Sequence, residues 1–572
     1  MQGRIPRAVA WLTALVALVC APAAGGAKKG LDGLRARPEA VEQWKDMRFG
    51  LFVCWGPVSL TGKEIGWSRG APSGGRRPGM LGGRGPTPAA VYDGLYEKWK
   101  PDKFDARRWV QLAKDAGMKY VIFLVKHHDG FCLYDTRLTD YRSTAAASAW
   151  KVDVMKAVAD ACHQAGLKLM IYYSQPDWHH RDYLTGNHDR YVKYLHGQVR
   201  ELLTNYGKID GLWFDNLRGV SAETARLWDA EGLFRMARGI QPHLVINNRC
   251  GLPGDYDTPE QQIGRFQTRR PWESCITLGT QWSWKPNDRI KSLKECIGIL
   301  VRCAAGDGNL ALNTNPMPDG RIEPRQAERF RQIGRWMEKH GRSIYRTRGG
   351  PFVVPGRLGG STHKGKTIYL HVLRWPGDTI ALPPIPRKVV SHSVLTGGTA
   401  SVEQTDEGIA VSVPARHRDE LDTIVALELD GPAAGIQPRR VRSGSLAAGR
   451  KGTASNVYQN SPQFSPDKAF DDDPGTRWGC DWGTKSAWLA VDLGKPMTFD
   501  RASLSEPYGR VRKFELQAGR GDQWKTFHKG KTIGEDLSVT FPPVTARRVR
   551  LRLVETTEGP SIWEFQLFAP KR

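Results

Sequence analysis

Two carboxylates stand where the chain could break a glycosidic bond. Asp215 closes the apolar run Gly211–Asp215 (GLWFD), and Glu260 falls in GDYDTPEQ, after the run Leu244–Arg249 (LVINNR). Glycoside hydrolysis needs two carboxyl groups: one attacks the anomeric carbon, the other protonates the departing oxygen and later activates water. Asp215, ending a strand, is held rigidly and suits a nucleophile. Glu260, on a loop, suits the acid/base, whose pKa must be raised by desolvation or by the nearby Asp charge. The structural readings are that Asp215 caps a following helix and that Glu260 is a solvated loop residue. Around this pair other apolar runs end in Cys54-Trp55-Gly56, His127-His128-Asp129, Tyr172-Tyr173-Ser174, Trp213 and Arg249. Glu64, Trp67, Trp272-Glu273 and Trp282-Ser283-Trp284 follow such runs in the loops. Indoles stack on sugar rings, and His, Arg and Glu bind hydroxyls.

Metal and nucleotide chemistry find little support. His127 and His128 are adjacent, so on a strand they face opposite ways, one into the core and one into a pocket. Neither HExxH nor a two-His-one-carboxylate spacing is visible. His179-His180 read as surface residues. No CxxC occurs, and Cys296 and Cys303 lie about 10 Å apart along one helix, too far to bond. No GxGxxG or GxxxxGK[ST] follows the first strand.

The elements that position these groups alternate. Short apolar runs at 47–55, 120–126, 168–174, 211–215, 244–249, 275–278 and 309–313 are separated by amphipathic stretches. The helices are expected at 105–116, 152–165, 189–205, 222–239, 288–304 and 324–339. Continuous apolar strands between helices are parallel and buried on both faces. This is an α/β pattern, a (β/α)8-like TIM barrel in preference to an open sheet, spanning residues 27–343. Residues 344–431 alternate β-type runs with Gly and Pro turns and read as a β-sandwich. Residues 432–452 are a Pro/Gly/Ser/Arg linker, and 453–572 a second β-sandwich.

Residues 1–26 read as a secretory signal peptide. Arg4 and Arg7 precede an apolar run of 13 residues, Ala8–Cys20, and Ala21-Pro22-Ala23 fits a cleavage site. The expected location is secreted or periplasmic. The 572 residues carry 84 Lys+Arg against 59 Asp+Glu, a net charge of +25. That excess raises nucleic acid as a partner, but the basic residues are spread along the chain and no recognition module is visible. Attraction to anionic material such as sulfated polysaccharide, or a solvated surface, fits better.

The segments MRFGLFVCWGPVSL, KYVIFLVKHHDGFCLYDT, IYYSQPDW, IDGLWFDN, GDYDTPEQ and WESC…QWSW, in that order, resemble glycoside hydrolase family 29, the α-L-fucosidases, over about residues 40–430. The resemblance implies a retaining exo-enzyme that removes terminal α-L-fucose from fucosylated oligosaccharide or polysaccharide, with no cofactor for catalysis. It makes Asp215 the nucleophile and Glu260 the acid/base of the subgroup favouring α-1,3/4 linkages, with Glu273 the alternative. It places Glu64, Trp67, His127, His128, Tyr172, Trp213, Arg249 and Trp284 in the fucose pocket, with Tyr172 rather than Tyr173 facing inward. Cys54 departs from the family's HWG motif. A thiol is a weak hydrogen-bonding group, and the lost bond would cost about 1–2 kcal/mol. An L-galactose-like substrate, or a sugar-binding protein without turnover, are the alternatives this raises. The stretch from about 450 to 569 resembles a discoidin-type domain, akin to carbohydrate-binding module family 32. That resemblance implies a structural Ca²⁺ held by Asp471, Asp473, Thr476 and Glu564, against an Asp-rich turn without metal. Trp482 could stack on sugar or lie in the core.

Overall fold

The computed structural model describes residues 33–570, apart from residues 73–74, 355–357, 376, 474, 522 and 535–536. The expected signal peptide, residues 1–26, lies outside the described residues.

The first domain runs α1 (Pro38–Met47), β1 (Phe49–Val53), α2 (Ala89–Asp93), α3 (Ala106–Asp115), β2 (Tyr120–Lys126), α4 (Val154–Ala165), β3 (Lys168–Tyr173), α5 (His188–Asn205), β4 (Gly211–Phe214), α6 (Ala222–Leu227), α7 (Ala230–Ile240), β5 (Val245–Ile246), β6 (Glu273–Thr277), α8 (Leu293–Ala305), β7 (Asn309–Thr314) and α9 (Pro324–His340). Every residue of β1, β2, β4, β5, β6 and β7 is buried. Sheets covered on both faces select such unbroken apolar runs. The strands are parallel, in the order β5-β4-β3-β2-β1-β7-β6.

Residues 255–260 span the gap between β5 and β6. Parallel bridges pair Asn247 with Tyr256, Asp257 with Trp272, and Glu260 with Cys275. The Asp255 N–H donates to Ile246 O at 2.7 Å, and Cys275 N–H to Pro259 O at 3.1 Å. Pro259 has no N–H to give in return, so the pairing stays irregular. The expected loop is therefore a rudimentary eighth strand, and Glu260 stands at its end.

Helix starts follow their caps. Asp105 and Asp153 accept from the first turns of α3 and α4, and Ser292 with Glu295 forms a capping box on α8. The single helix expected over 222–239 is two. Asp229, at φ 44°, breaks it and caps α7 by accepting from Gly232 N–H.

Beyond α9, strands Thr367–Val372, Thr423–Leu429 and Gly359–Lys364 belong to a five-stranded antiparallel sheet. It packs on a three-stranded sheet through Ile368, Leu370, Val411, Val425 and Leu427. The expected linker docks on this sandwich: Arg439–Arg440 pair in parallel with Phe352–Val353, and Val441 is buried. In the C-terminal domain, strands Ala487–Ser505, Val511–Arg520, Gln523–Gly530 and Leu537–Thr556 form an antiparallel sheet. Its core is Leu489, Val491, Phe514, Leu516, Val549, Leu551 and Leu553.

Candidate active site

Asp215 directly follows β4. Its N–H donates to Gln175 Oε1 at 2.9 Å. Its carboxylate accepts from Tyr172 Oη at 2.8 Å and from Arg249 Nη1 at 3.1 Å, and His128 Nε2 lies 3.5 Å away. Asp215 caps no helix: α6 starts seven residues later, and Ser221 caps it. The Asp215 side chain is 11% exposed, so it is both fixed and reachable.

Arg249 is the hub. Its Nη1 also reaches Glu260 Oε2, at 2.9 Å. Thr258 holds the rest of the guanidinium, accepting at Oγ1 (2.8 Å) and at its carbonyl (3.0 Å). The guanidinium lies 4.8 Å from the Trp213 ring, which stacks on Tyr172 at 5.4 Å. Burial opposes the charge on Arg249, but its anionic neighbours, led by Asp215, outweigh burial and raise its pKa. Two carboxylate oxygens within 3.1 Å of one nitrogen lie at most about 6 Å apart.

Both histidines belong to this site, contrary to the expected split between core and pocket. Their ring centroids are 4.1 Å apart. His128 Nδ1 pairs with Ser174 Oγ at 2.6 Å. Burial, then the charges of Lys126 and Arg249, push its pKa down to about 3, so it is neutral at working pH. Burial also lowers His127 well below its usual value, and its Nδ1 is buried without a partner. That ring is packed against Gly66 (φ +64°), where a Cβ would come within 2.5 Å of Nδ1. Trp67 stands at the rim, 43% exposed, its ring edge-on to His128 and Trp178 at 5.8 and 5.3 Å.

Glu64 ties two loops together. It accepts from the N–H groups of Ile65, Trp282 and Ser283 at 3.0, 2.9 and 3.1 Å, and burial raises its pKa. Cys54 is 3% exposed in an apolar cluster with Phe52, Tyr172, Trp213 and Cys275. Burial, then the Glu64 charge, raises its pKa far above the usual thiol value and keeps it a neutral S–H. All eight cysteines of the described residues are buried and unpaired.

The alternative acid/base stands elsewhere. Glu273 is wholly buried inside the barrel, accepting from Tyr120 Oη and, at 3.1 Å, from Trp213 Nε1. It supports Trp213 from below and cannot reach a leaving group. Trp284 is half-buried, its Nε1 without a partner among the described residues, and Trp282 packs on Phe52 at 5.7 Å and joins the cluster. Gln175 and Thr258 are not singled out by the sequence, and Ser174, named at a strand end, has no role assigned there. Each directly follows a strand run or precedes a candidate acid, and that position was the signal available.

Burial pushes the Glu273 pKa up to about 7. A raised folded-state pKa gives stability that is full below the unfolded value and is lost as pH rises through 7. At about 1.4 kcal/mol per unit, the loss between pH 4.5 and 7 is on the order of 3 kcal/mol. Glu273→Gln, neutral at every pH, is expected to gain in Tm over the parent from pH 5 to pH 8. A constant Tm difference across that range would contradict it.

In the C-terminal domain, Asp471 accepts from Thr476 Oγ1 at 2.8 Å and lies 3.5 Å from Lys468 Nζ. Asp473 Oδ2 meets Arg440 at 3.2 Å. Glu564 is 5% exposed, and neither of its oxygens has a well-formed hydrogen bond. Burial, then Asp472, Asp471 and Asp473, raises its pKa. Among the described residues no three His, Cys, Asp or Glu side chains already form a metal cage. No helix among the described residues is long and apolar enough to cross a membrane.

A parallel barrel whose strand ends present two carboxylates joined by one guanidinium, walled by indoles and imidazoles, defines a glycoside hydrolase. Residues 22–342 match the family model for alpha-L-fucosidase, and residues 451–565 that for the F5/8 type C domain. The chain belongs to the α-L-fucosidase family, glycoside hydrolase family 29. It is 31% identical over 311 residues to alpha-L-fucosidase 1 of Arabidopsis thaliana, covering 49% of this chain and 56% of that one. It is 26% identical over 360 residues to human plasma alpha-L-fucosidase, covering 58% and 76%. Alpha-L-fucosidase isoenzyme 1 from Paenibacillus thiaminolyticus superposes with a TM-score of 0.59 at 30% identity, over 68% of this chain and 99% of that one.

Proposed function

We propose that the chain is a secreted or periplasmic retaining exo-α-L-fucosidase acting on α-1,3/4-linked terminal fucose. The observation that carries the retaining mechanism is Arg249 Nη1 held between Asp215 and Glu260, at 3.1 and 2.9 Å. Retaining enzymes set their carboxyl groups about 5–5.5 Å apart, and inverting ones about 6.5–9.5 Å, to admit a water. The upper bound of about 6 Å between Asp215 Oδ1 and Glu260 Oε2 is compatible with the first. In this reading an Asp215 oxygen bonds to the anomeric carbon as the bond to the leaving oxygen breaks. Glu260 gives that oxygen its proton. Water then attacks the same carbon, returning its proton to Glu260 and freeing Asp215. Tyr172 Oη and Arg249 hold the Asp215 oxygens throughout.

Product release from a panel of α-1,2, α-1,3, α-1,4 and α-1,6 fucosides, an aryl α-L-fucoside and an aryl α-L-galactoside tests this reading. Release from α-1,3 and α-1,4 substrates with the α-anomer as first product is expected. Preference for the galactoside would move the substrate to L-galactose, the outcome that Cys54 raises. Binding without release from any member would leave a sugar-binding protein. Export is supported by the basic-then-apolar pattern of residues 4–23, and amino-terminal sequencing of the exported chain tests it.

For the C-terminal domain the proposal is a structural Ca²⁺ held by Asp471, Asp473, Thr476 and Glu564. The support is Glu564, a buried carboxylate with unused oxygens facing a cluster of aspartates, where a hard cation would offset the repulsion. Millimolar Ca²⁺ is expected to raise the Tm over EDTA-treated protein, and Glu564→Gln to abolish the difference. Equal Tm values with Ca²⁺ and EDTA would leave the Asp-rich turn without metal.

A further inference from the structure

The large sheet of the C-terminal domain turns one face to its core and the other to solvent. On strand Leu537–Thr556, Val549, Leu551 and Leu553 are buried, and Arg548, Arg550 and Arg552 alternate with them on the outer face. Successive arginines on that face stand about 6.6 Å apart. The register sets Trp488 opposite Arg552 on one neighbouring strand. On the other, Gln517 is opposite Arg550 and Gly519 opposite Arg548, and Trp524 pairs with Gly519 one strand further out. An indole therefore flanks the arginine row on each side. The Arg550 guanidinium lies 4.3 Å from the Trp524 ring and 6.0 Å from Trp488, and that of Arg548 is 5.6 Å from Trp524.

Little on the protein answers these charges. Arg550 Nε donates to the neutral Gln517 Oε1 at 2.8 Å. Glu515 is shared between Arg552 at 3.7 Å and Lys529 at 3.8 Å. Asp492, across from Arg548, is engaged by Arg547 at 2.9 Å. Neither Arg548 nor Arg550 forms an ion pair with a described residue. Like charges in a row on one sheet face destabilise it. An external anion with a matching repeat would relieve that repulsion.

We propose that this face binds an anionic polysaccharide, with sulfate or carboxylate groups on the arginine forks and sugar rings on Trp488 and Trp524. Guanidinium forks pair with such anions bidentately, and indoles take the apolar faces of pyranoses. The substrate role of that polymer rests on the fucosidase reading; its binding does not. Trp482, 65% exposed beneath Arg510, lies in a loop and is not part of the row.

The test uses the full chain and measures affinity for dextran sulfate, unmodified dextran, oligo(dT) and phosphatidylserine vesicles at about 0.15 M salt. The parent is expected to prefer dextran sulfate. Arg548→Gln/Arg550→Gln/Arg552→Gln should weaken it at least about tenfold, and Trp488→Ala/Trp524→Ala by a smaller factor. A control on the barrel surface, Lys98→Gln/Arg107→Gln/Arg108→Gln, removes the same charge and should change it less than about twofold. Hydrolysis of an aryl α-L-fucoside should be unchanged in all three. Equal losses in the control, an unaffected arginine variant, or equal binding of unmodified dextran would overturn the proposal. Tighter binding of oligo(dT) or vesicles, lost with the arginines, would replace the polysaccharide by that partner. Polysaccharide binding without any glycoside hydrolysis would defeat the fucosidase reading and leave this one standing.

Discussion

Asp215→Ala is expected to lower kcat/KM on an aryl α-L-fucoside by about four orders of magnitude, or about 5.5 kcal/mol of transition-state stabilisation. The residue makes the bond to carbon, and no neighbour can replace it. Glu260 is held across Arg249, and Glu273 is sealed inside the barrel. The loss should not come from unfolding, because the side chain lies at the strand end and not in the apolar core. Asp215→Asn keeps the shape and should lose nearly as much, since an amide is a poor nucleophile. In the alanine variant, azide should fill the vacated space and attack from the nucleophile's side, giving a fucosyl azide of inverted configuration. Activity within tenfold of the parent in either variant would remove Asp215 from the nucleophile's role.

Glu260→Ala should divide by leaving group. A natural oligosaccharide needs its departing oxygen protonated, and turnover on it should fall about 10²–10⁴-fold. An aryl fucoside with an acidic phenol leaves unaided, so the glycosyl-enzyme should form quickly and then wait, because no base activates water. KM should fall along with kcat as that intermediate accumulates. Azide needs no base and should restore turnover, with product of retained configuration. Opposite azide stereochemistry in the two variants assigns the two roles independently. If Glu260→Ala lost equally on both kinds of substrate and azide restored nothing, the acid/base would have to lie elsewhere. Glu273 would be a poor candidate, since its carboxylate is spent on Tyr120 and Trp213.

The strands were legible because parallel strands are buried on both faces and leave unbroken apolar runs such as YVIFLVK. The segment 255–260 was not. It is polar, its pairing is interrupted by Pro259, and its register is visible only where Asp257 and Glu260 meet Trp272 and Cys275. The break between α6 and α7 was hidden for a related reason, because a single left-handed residue, Asp229, stops a helix whose apolar pattern runs on. At the site, Tyr172 and Tyr173 are equivalent by composition. The strand pleat separates them: Tyr172 Oη meets Asp215, while Tyr173 Oη turns away to Gln198 at 2.8 Å.

Local chemistry was thus written in the chain: runs that must be strands, carboxylates and rings at their ends, and two motifs in an order that resembles one family. Tertiary structure decided which of those groups meet. Arg249 joins Asp215 to Glu260 across 34 and 11 residues. Glu273, alike in composition and only 13 positions beyond Glu260, is withdrawn into the barrel at zero exposure. The physical reason is that a carboxylate's role depends on its solvent and its neighbours. Both are set by how the strands curl around it, which no local stretch of sequence records.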